Sequence, residues 1–429
     1  MGKYNMKKSY QLFEKAKKLV PGGMQNTRRP SCFTEAYPKF ANKANGSHLW
    51  DVDGNEYIDW MLAFGPIILG YCNNKIDAAV KDVIKNGFIF SLAAPTQLTL
   101  AEKLIEHIPS AEMYVSVMNG SDATAAAVRI AKVYTGREVI IRWGYHGWLD
   151  WCVDNHIGVS QGVTDSVKTF KYNDLTSLEE VLEKNKNKVA CIIMMPFEVI
   201  LPEKGFLEGV RELANSHKVV LIFDEIRSWP RMGLGGAQKY FGVTPDITTL
   251  SKGLGNGYPI SAVVGKAEVM EVAEKTVISA TYFPNILGVV AALETIRQLE
   301  DGKVIDHIWK VGLKLKEGLR ELIKSRNVEA TIFGAPPMPF LMFGNKETNI
   351  NALNIQPLGS AINAAFNKGD KENERIHRLT DLFYSETIKR GIFFHPKHNW
   401  FTCWAHTEED IKKTLKVSDE ALDIAIKRL

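Results

Sequence analysis

One uninterrupted apolar run constrains the fold of this chain more than any other feature. Val219–Phe223 contains no polar residue and leads directly into Asp224 and Glu225. A strand without polar alternation is buried on both faces, as in a parallel sheet covered by helices. In such sheets ligands bind at the edge formed by the carboxyl ends of the strands. The run therefore predicts an α/β fold that presents the carboxylate of Asp224 at that edge.

A second short run leads to a lysine in a glycine-rich loop. Ile247–Leu250 has the β-branched and apolar residues of a buried strand, and Lys252 follows it. The glycines of Gly253–Gly257 allow tight turns close to a ligand. An acid and a lysine at two strand ends suit pyridoxal phosphate: Lys252 would form the Schiff base, and Asp224 would keep the pyridinium nitrogen protonated.

Each of these two residues also has a structural alternative. Lys252 could be a surface lysine whose stem lies on apolar residues. Asp224 could be the N-cap of a helix that follows the strand. The two alternatives together explain the pair less well than one shared cofactor does.

Four segments of the chain carry a family resemblance. They are Trp50–Asp59, Asp224-Glu225, Gly235–Asp246 and Ser251–Gly253. Together they resemble the class III aminotransferases, most closely the glutamate-1-semialdehyde aminomutase branch, over nearly the whole chain. The resemblance implies the fold type I architecture of pyridoxal-phosphate-dependent transferases. That fold has a large α/β domain with a mostly parallel seven-stranded sheet between helices, and a smaller α+β domain from both chain ends.

The resemblance also implies where the domains divide. Residues 1–94 are expected to form the N-terminal segment and part of the small domain. Residues 95–304 are expected to form the large cofactor-binding domain, and residues 305–429 the C-terminal small domain.

Composition limits the classes of partner. The chain has 429 residues, of which 45% are hydrophobic and 24% charged, as in ordinary soluble globular proteins. A formal net charge of +4 without a long basic block indicates neither a nucleic-acid nor a membrane partner. We expect a cytoplasmic protein, because we find no secretory signal pattern and no apolar run long enough for a bilayer. The cysteines are odd in number and lack metal-ligand spacing, so we expect reduced thiols. His395 and His398 have no third ligand beside them, so we expect no metal.

Three further patterns predict local structure. Lys7–Val20 has helical periodicity, and the alternation in Ser47–Ile58 predicts a hairpin. Gly344–Asp370 is polar and is expected to be an irregular loop. Thr407 and Asp410 predict a capping box at the start of the last helix.

A glycine and a hydroxyl open a long predicted helix. Met113–Met118 reads as a buried strand, and Asn119–Ala123 starts a helix that runs to about Thr135. Backbone amides and the helix dipole make such a start an anion site. In the family this is the site of the cofactor phosphate, which implies that Gly120 and Ser121 bind it. The alternative is plain N-capping by Ser121.

The segment Trp143–Trp148 follows another predicted strand. The resemblance implies that Tyr145 stacks on the cofactor ring, which suits a flat electron-poor ring against an aromatic face. His146 is interpreted as structural and is given no catalytic role. Trp148 replaces the histidine common in the aminomutases, and we expect it to contact substrate.

Two more substrate contacts are implied by position in the family. Arg29 matches the arginine that binds the substrate carboxylate, a task suited to a planar guanidinium. A solvated surface arginine is the alternative. Phe64 occupies the place of an aromatic residue that walls the substrate pocket, although an aromatic between apolar neighbours more often belongs to the core.

Several positions depart from the aminomutase pattern. Met195 stands where the family usually has a glutamate, and we expect it to make the pocket less polar; Glu198 could substitute for that acid. Phe283 and Pro284 replace a small Ser-Gly pair.

Two arginines follow Asp224. Arg227 and Arg231 could receive an anionic substrate, or form a structural ion pair with Glu225. We rate the ion pair higher for Arg231.

The resemblance also implies an oligomer. The resemblance implies that Thr281 reaches the phosphate of the cofactor held mainly by a partner subunit. The active protein is therefore expected to be a homodimer with shared sites.

Three enzymatic functions would use these same cofactor-binding residues. The first is an aminotransferase that moves an amino group from a small-molecule amino donor to a keto or aldehyde acceptor. The second is an intramolecular aminomutase like the semialdehyde enzyme, and the third is an amino acid racemase or epimerase. In each, Lys252 must be neutral to move a proton, which requires burial to lower its pKa. The altered pocket residues favour the aminotransferase.

Overall fold

The computed structural model describes residues 4–24, 33–283, 285–356, 358 and 371–429. Within them the chain forms two compact units. Unit 1 comprises the described residues of Met1–Asn73, Asp306–Ala352 and Leu358–Leu429, and unit 2 those of Asn74–Ile305 and Leu353–Pro357. Unit 1 thus takes its residues from both ends of the chain. The division at residues 94 and 304 stays a prediction, and the contacts place the changes of unit at Asn73 and Ile305.

The strands in the described residues alternate with helices through the middle of the chain. The strands are β1 (Ala41–Asn45), β2 (His48–Asp51), β3 (Glu56–Asp59), β4 (Met113–Val117), β5 (Val139–Trp143), β6 (Val167–Thr169), β7 (Val189–Met194), β8 (Val220–Asp224), β9 (Ile247–Leu250), β10 (Ser261–Gly265), β11 (Ala330–Phe333), β12 (Phe340–Phe343) and β13 (Ile392–Phe393).

The α-helices of the same residues lie between and after these strands. They are α1 (Lys7–Ala16), α2 (Asn74–Ile84), α3 (Pro95–His107), α4 (Gly120–Thr135), α5 (Gln161–Asp165), α6 (Leu175–Lys184), α7 (Phe206–Ser216), α8 (Gly236–Phe241), α9 (Ala267–Met270), α10 (Ile286–Leu299), α11 (Lys303–Ser325), α12 (Lys346–Ile355), α13 (Lys371–Lys389) and α14 (Glu408–Lys427).

Unit 2 is built on one mostly parallel sheet. Its seven strands in the described chain lie in the order β4, β10, β9, β8, β7, β5, β6. Strand β10 is antiparallel to both of its neighbours, and the remaining pairs are parallel. All residues of β7, β8 and β9 are buried, as expected for strands covered on both faces. The predicted fold class is confirmed.

Alternate side chains of the central strands pack into two separate hydrophobic cores. In β7, Ile192 and Met194 pack in one cluster with residues of α6 and α7. Cys191 and Ile193 pack in another cluster with residues of α4. Because each fully buried aliphatic side chain contributes about 1.5–3 kcal/mol, these two layers hold the central strands in register. Their carboxyl ends therefore meet at one edge.

Unit 1 joins the two ends of the chain through a small sheet. In the described residues its order is β1, β2, β3, β13, and β13 is parallel to β3, with Ile392 opposite Ile58. The hairpin predicted within Ser47–Ile58 is present as antiparallel β2 and β3. Strands β11 and β12 pair separately. A core cluster of buried aromatic and aliphatic residues packs these elements together.

Two local predictions differ from the structure, and one is confirmed. Helix α1 ends at Ala16 and is followed by turns, so it is shorter than predicted. The segment from Gly344, expected to be irregular, contains α12. The side-chain oxygen of Asn345 accepts from the amides of Glu347 and Thr348 and so caps this helix. The capping box of Thr407 is confirmed. No helix in the described ranges is both long and apolar enough to cross a bilayer.

We expect Gly312→Ala to destabilise unit 1. Gly312 lies in α11, and a Cβ there would be 1.8 Å from the carbonyl oxygen of Pro336. Forcing the backbones apart should lower the free energy of unfolding by about 1–3 kcal/mol, measured by urea unfolding. The control is Gly162→Ala in α5, where a Cβ meets no atom within 4 Å and stability should stay the same or rise. Equal urea midpoints for Gly312→Ala and the unsubstituted protein would refute this packing.

Candidate active site

Lys252 begins the turn after β9. It opens the short 3-10 turn Lys252–Leu254 with a φ of 42°, in the left-handed region that non-glycine residues rarely adopt. A Cβ on Gly253 would lie 2.6 Å from Cδ of Pro230, so glycine is needed at that position. The half-buried side chain of Lys252 is flanked by buried residues.

The amine of Lys252 has an altered pKa. Burial, followed by the nearby charges of Arg227 and Arg231, lowers the pKa to about 7, although Asp224 and Glu198 act in the opposite direction. The structure thus supplies a lysine that is substantially neutral near neutral pH. Such an amine can act as a nucleophile and exchange protons.

Asp224 is buried and held on both oxygens. Oδ1 accepts a hydrogen bond from the amide of Ile226 at 3.2 Å and from Oγ1 of Thr249 at 3.3 Å. Oδ2 lies 2.7 Å from Nδ1 of His146. With 3% of its surface exposed, this carboxylate has a fixed position and orientation at the end of β8.

His146 connects Asp224 to the loop after β5. Its Nε2 lies 3.1 Å from the carbonyl oxygen of Trp143. Because a carbonyl only accepts, Nε2 donates this hydrogen bond, and Nδ1 can also donate to an ionised Asp224 only when the imidazole carries both protons. The carbonyl of His146 in turn accepts from Oγ1 of Thr124 at 2.7 Å. The contact between His146 and Asp224 was not predicted from the sequence, where His146 was given only a structural role. The position of His146 directly after Tyr145 is the sequence feature that could have indicated a place near the cofactor.

The N-terminus of α4 lies against the same loop. A Cβ on Gly147, whose φ is 121°, would be 2.3 Å from Oγ of Ser121. A Cβ on Gly120 would meet the side chain of Ile226 at 3.0 Å. The N-cap is Asn119, whose side chain accepts from the amide of Asp122. Capping by Ser121, the structural alternative, is therefore wrong, and its hydroxyl lies in the first turn.

The remaining sequence-predicted residues of unit 2 differ in exposure. Tyr145 is 49% exposed. Its partial burial, followed by the nearby Cys152, raises the pKa of its hydroxyl, and Arg227 opposes this. Trp148 is 71% exposed. Thr281 is exposed in the turn before α10. The hydrogen bonds and close approaches described above, all within the described residues, do not include Thr281.

Two predicted substrate residues do not belong to the described residues of unit 2. Phe64 belongs to unit 1, where its ring lies 5.6 Å from that of His395 and 5.4 Å from that of His398. Its φ of 71° is again in the left-handed region. Arg29 lies outside the described residues.

The departures from the family pattern have different structural roles. Met195 is 3% exposed and packs in the core with α6 and α7, and a Cβ on Gly144 would lie 2.9 Å from its Cγ. It therefore supports the loop that carries Tyr145. Glu198 forms a buried ion pair with Arg227 at 2.7 Å. This pair was not predicted from the sequence.

One group of side chains has the spacing of a metal site. Glu106, His107 and Glu300 are this group within the described chain, at a mostly exposed position. Lys103 already pairs with both glutamates. The absence of a metal cofactor stays a prediction.

Comparison with known proteins identifies the family. The family model described as Aminotransferase class-III matches residues 33–354. The chain is 43% identical to 3-aminobutyryl-CoA aminotransferase of Cloacimonas acidaminovorans, with 98% of each chain covered. The chain belongs to the class III aminotransferases. It is also 32% identical to glutamate-1-semialdehyde 2,1-aminomutase of Methanocaldococcus jannaschii, over 97% of this chain and 98% of that one.

A solved structure agrees with this assignment. The pyridoxal phosphate internal aldimine form of the FumI protein of Sphingopyxis sp. MTA144 superposes with a TM-score of 0.88 at 25% identity, covering 98% of this chain and 97% of that chain. The resemblance recognised from the sequence is confirmed, and the protein is an aminotransferase that depends on pyridoxal phosphate.

The residues present fit this cofactor. Lys252 has a depressed pKa, as a lysine that forms a Schiff base requires. Asp224 is a fixed carboxylate that can hold a protonated ring nitrogen. The first turn of α4, with Gly120 and Ser121, has the features of a phosphate site. These residues of unit 2 therefore fit the aldehyde, the ring and the phosphate of this cofactor.

We expect His146→Ala to weaken cofactor binding. The substitution leaves Oδ2 of Asp224 without its partner at 2.7 Å. A lost hydrogen bond to a charged group costs about 1.5–3 kcal/mol, so the Kd for pyridoxal phosphate should rise by about tenfold or more. Titration of cofactor-free protein by visible absorbance measures this. His156→Ala, at an exposed position, is the matched control. An unchanged Kd for His146→Ala would show that the contact does not support the cofactor.

Proposed function

We propose that this aminotransferase moves an amino group between a 3-aminoacyl-CoA thioester and a 2-oxo acid. The observation that carries the proposal is the 43% identity over 98% of the chain to 3-aminobutyryl-CoA aminotransferase. Removal of the amino group from such a donor leaves a 3-oxoacyl thioester, and the 2-oxo acid receives the group to become an amino acid. The structure supports the chemistry through the half-buried Lys252 and the fixed Asp224.

Lys252 and Asp224 are proposed as the catalytic residues. Bound pyridoxal phosphate supplies an aldehyde that takes up the amino group and a ring that withdraws electrons from the reacting carbon. The neutral Nζ of Lys252 removes the proton from the amino-bearing carbon of the substrate and returns a proton later in the cycle. The ionised Asp224, held by His146 and Thr249, keeps the ring nitrogen protonated.

Other residues are proposed to bind the cofactor. The amides at Gly120 and Ser121, with the hydroxyl of Ser121, hold the phosphate at the start of α4. Tyr145 stacks on the ring, since it extends from the loop that also carries the partner of Asp224. For substrate we propose Trp148, Phe64 and Arg29, as their positions in the family imply.

A homodimer with Thr281 contributed by the partner subunit is part of the proposal. Exposed apolar side chains support it. Phe88, Phe90 and Leu92 are 37%, 45% and 81% exposed. The carbonyl of Phe88 accepts from the amide of Ile286, so this segment lies beside the start of α10, which follows the turn of Thr281. Apolar side chains gathered next to a proposed shared residue are typical of a subunit interface.

A cytoplasmic location is also proposed. Cys72, Cys152, Cys191 and Cys403 are free thiols among the described residues. Free thiols suit a reducing compartment.

The second candidate function is intramolecular amino transfer. The 32% identity to glutamate-1-semialdehyde 2,1-aminomutase favours it. The lower identity to that enzyme than to the aminotransferase makes it the second choice.

We expect turnover of 3-aminobutyryl-CoA with 2-oxoglutarate. Glutamate and the 3-oxoacyl thioester should form in equal amounts, measured by chromatography, with kcat/KM at least about tenfold above that for free 3-aminobutyrate, because contacts to the thioester moiety add binding energy. Glutamate 1-semialdehyde without an acceptor is the comparison. Isomerisation of that compound, with no reaction of the thioester, would replace our proposal by the second candidate.

We expect Lys252→Ala to lose turnover by about 10²-fold or more, because a positioned proton-transfer group contributes that much. Steady-state kinetics measure the loss, and borohydride reduction followed by peptide mass analysis shows whether pyridoxal phosphate attaches at this residue. Lys239→Ala, which changes an exposed lysine, should keep full activity. A Lys252→Ala protein with normal kcat would remove the catalytic assignment.

A further inference from the structure

Three neighbouring strands deliver charged residues to one edge of the sheet. Strands β7, β8 and β9 are parallel and adjacent, with Met194 opposite Phe223 and Asp224 opposite Thr249. Arg227 lies three residues beyond Asp224, and Lys252 lies three residues beyond Thr249. Glu198 follows the end of β7. The turns after these three strands therefore carry Glu198, Arg227 and Lys252 to the same edge of the sheet.

Glu198 and Arg227 form an ion pair away from solvent. Oε1 of Glu198 lies 2.7 Å from Nη1 of Arg227, and the two residues are 4% and 7% exposed. Removing two charges from water is costly, and their attraction often does no more than offset that cost. Stability alone therefore accounts poorly for this pair next to a reactive amine.

The charges around Lys252 act in opposite directions. The guanidinium groups of Arg227 and Arg231 disfavour a proton on the amine, and the carboxylates of Asp224 and Glu198 favour it. Arg227 is the strongest of these four influences, after burial itself. Asp224 is held by His146 and Thr249, whereas Arg227 and Glu198 are held by each other.

We propose that Arg227 and Glu198 are positioning residues that set the charge around Lys252. Glu198 holds the guanidinium of Arg227 at the sheet edge, and the positive charge of the guanidinium disfavours a proton on the amine. Glu198 also moderates the effect, because its own charge acts with the opposite sign. The inference rests on the proposed role of Lys252 and is independent of which substrate is used.

The test measures the amine directly in cofactor-free protein. Trace acetic anhydride labels neutral amines, and mass spectrometry of the peptide bearing Lys252 gives the labelled fraction at each pH. Exposed Lys239 serves as the internal reference. The variants are Arg227→Met, Glu198→Gln, the double substitution and Arg227→Lys, with exposed Arg297→Met as the control for removal of a charge elsewhere.

The expected shifts have opposite signs. Loss of the Arg227 charge makes protonated Lys252 more favourable, so the labelling midpoint of Arg227→Met should move to higher pH. Loss of the Glu198 charge should move it to lower pH. Each shift should be about half a pH unit or more, since close charges move a buried pKa by about a unit or more. The double variant should lie between them, and Arg227→Lys should stay near the unsubstituted protein.

Damage to the fold alone would not produce this pattern. Shifts of the same sign in both single variants, or no shift in either, overturn the inference. If Arg227→Met fails to fold, Glu198→Gln and the double variant still differ only by the Arg227 charge, and a midpoint of the double variant at or below that of Glu198→Gln overturns it. Failure of pyridoxal phosphate to attach to Lys252 would instead refute the proposed function.

Discussion

The pairing of β8 with β9 is the constraint on which the site depends. It places Asp224 opposite Thr249, so that the hydroxyl of Thr249 reaches the carboxylate and the turn beyond carries Lys252 to the same edge. Both strands are buried throughout, and a shift of one residue would turn apolar side chains away from their cores. The packing energy of the sheet therefore also fixes the geometry of the acid and the amine.

A second constraint comes from close backbone approach around the loop after β5. Gly144 and Gly147 have φ values of 107° and 121°, and a Cβ on either would collide with Met195 or Ser121. These two positions let the loop lie against the sheet core on one side and the start of α4 on the other. As a result His146 reaches Asp224 while Tyr145 remains partly open to ligand.

The site balances buried charges of both signs. Glu198 neutralises Arg227 at short range, and Asp224 is bound by neutral donors and by His146. Such balance permits charged groups in a water-poor site, where an unpaired ion would be costly. It also means that the protonation of Lys252 depends on several residues from adjacent strands. Membership of the class III aminotransferases explains why a lysine occupies position 252. The surrounding charges of this chain determine how readily its amine binds a proton.

The sequence by itself determined the architecture and the main chemical groups. Strand burial and glycine-rich turns are local patterns, spread over a few neighbouring residues. They could therefore be predicted for the run Val219–Phe223 and for Lys252, which follows Ile247–Leu250. The helix that begins near Asn119 was readable for the same reason. The identity of its capping side chain was not, since several polar residues compete for one amide.

Tertiary structure alone decided which side chains meet. His146 and Asp224 are 78 residues apart, and Arg227 and Glu198 are 29 apart. Nothing in their local sequence specifies these contacts, because they depend on strand order and register. The burial of Met195 beneath Gly144 could not be predicted from the sequence either. Met195 was expected to make the pocket less polar, and in the structure it packs beneath the loop that carries Tyr145. Local pattern encodes elements, whereas the partners of a charged group are set by packing between elements distant in the chain.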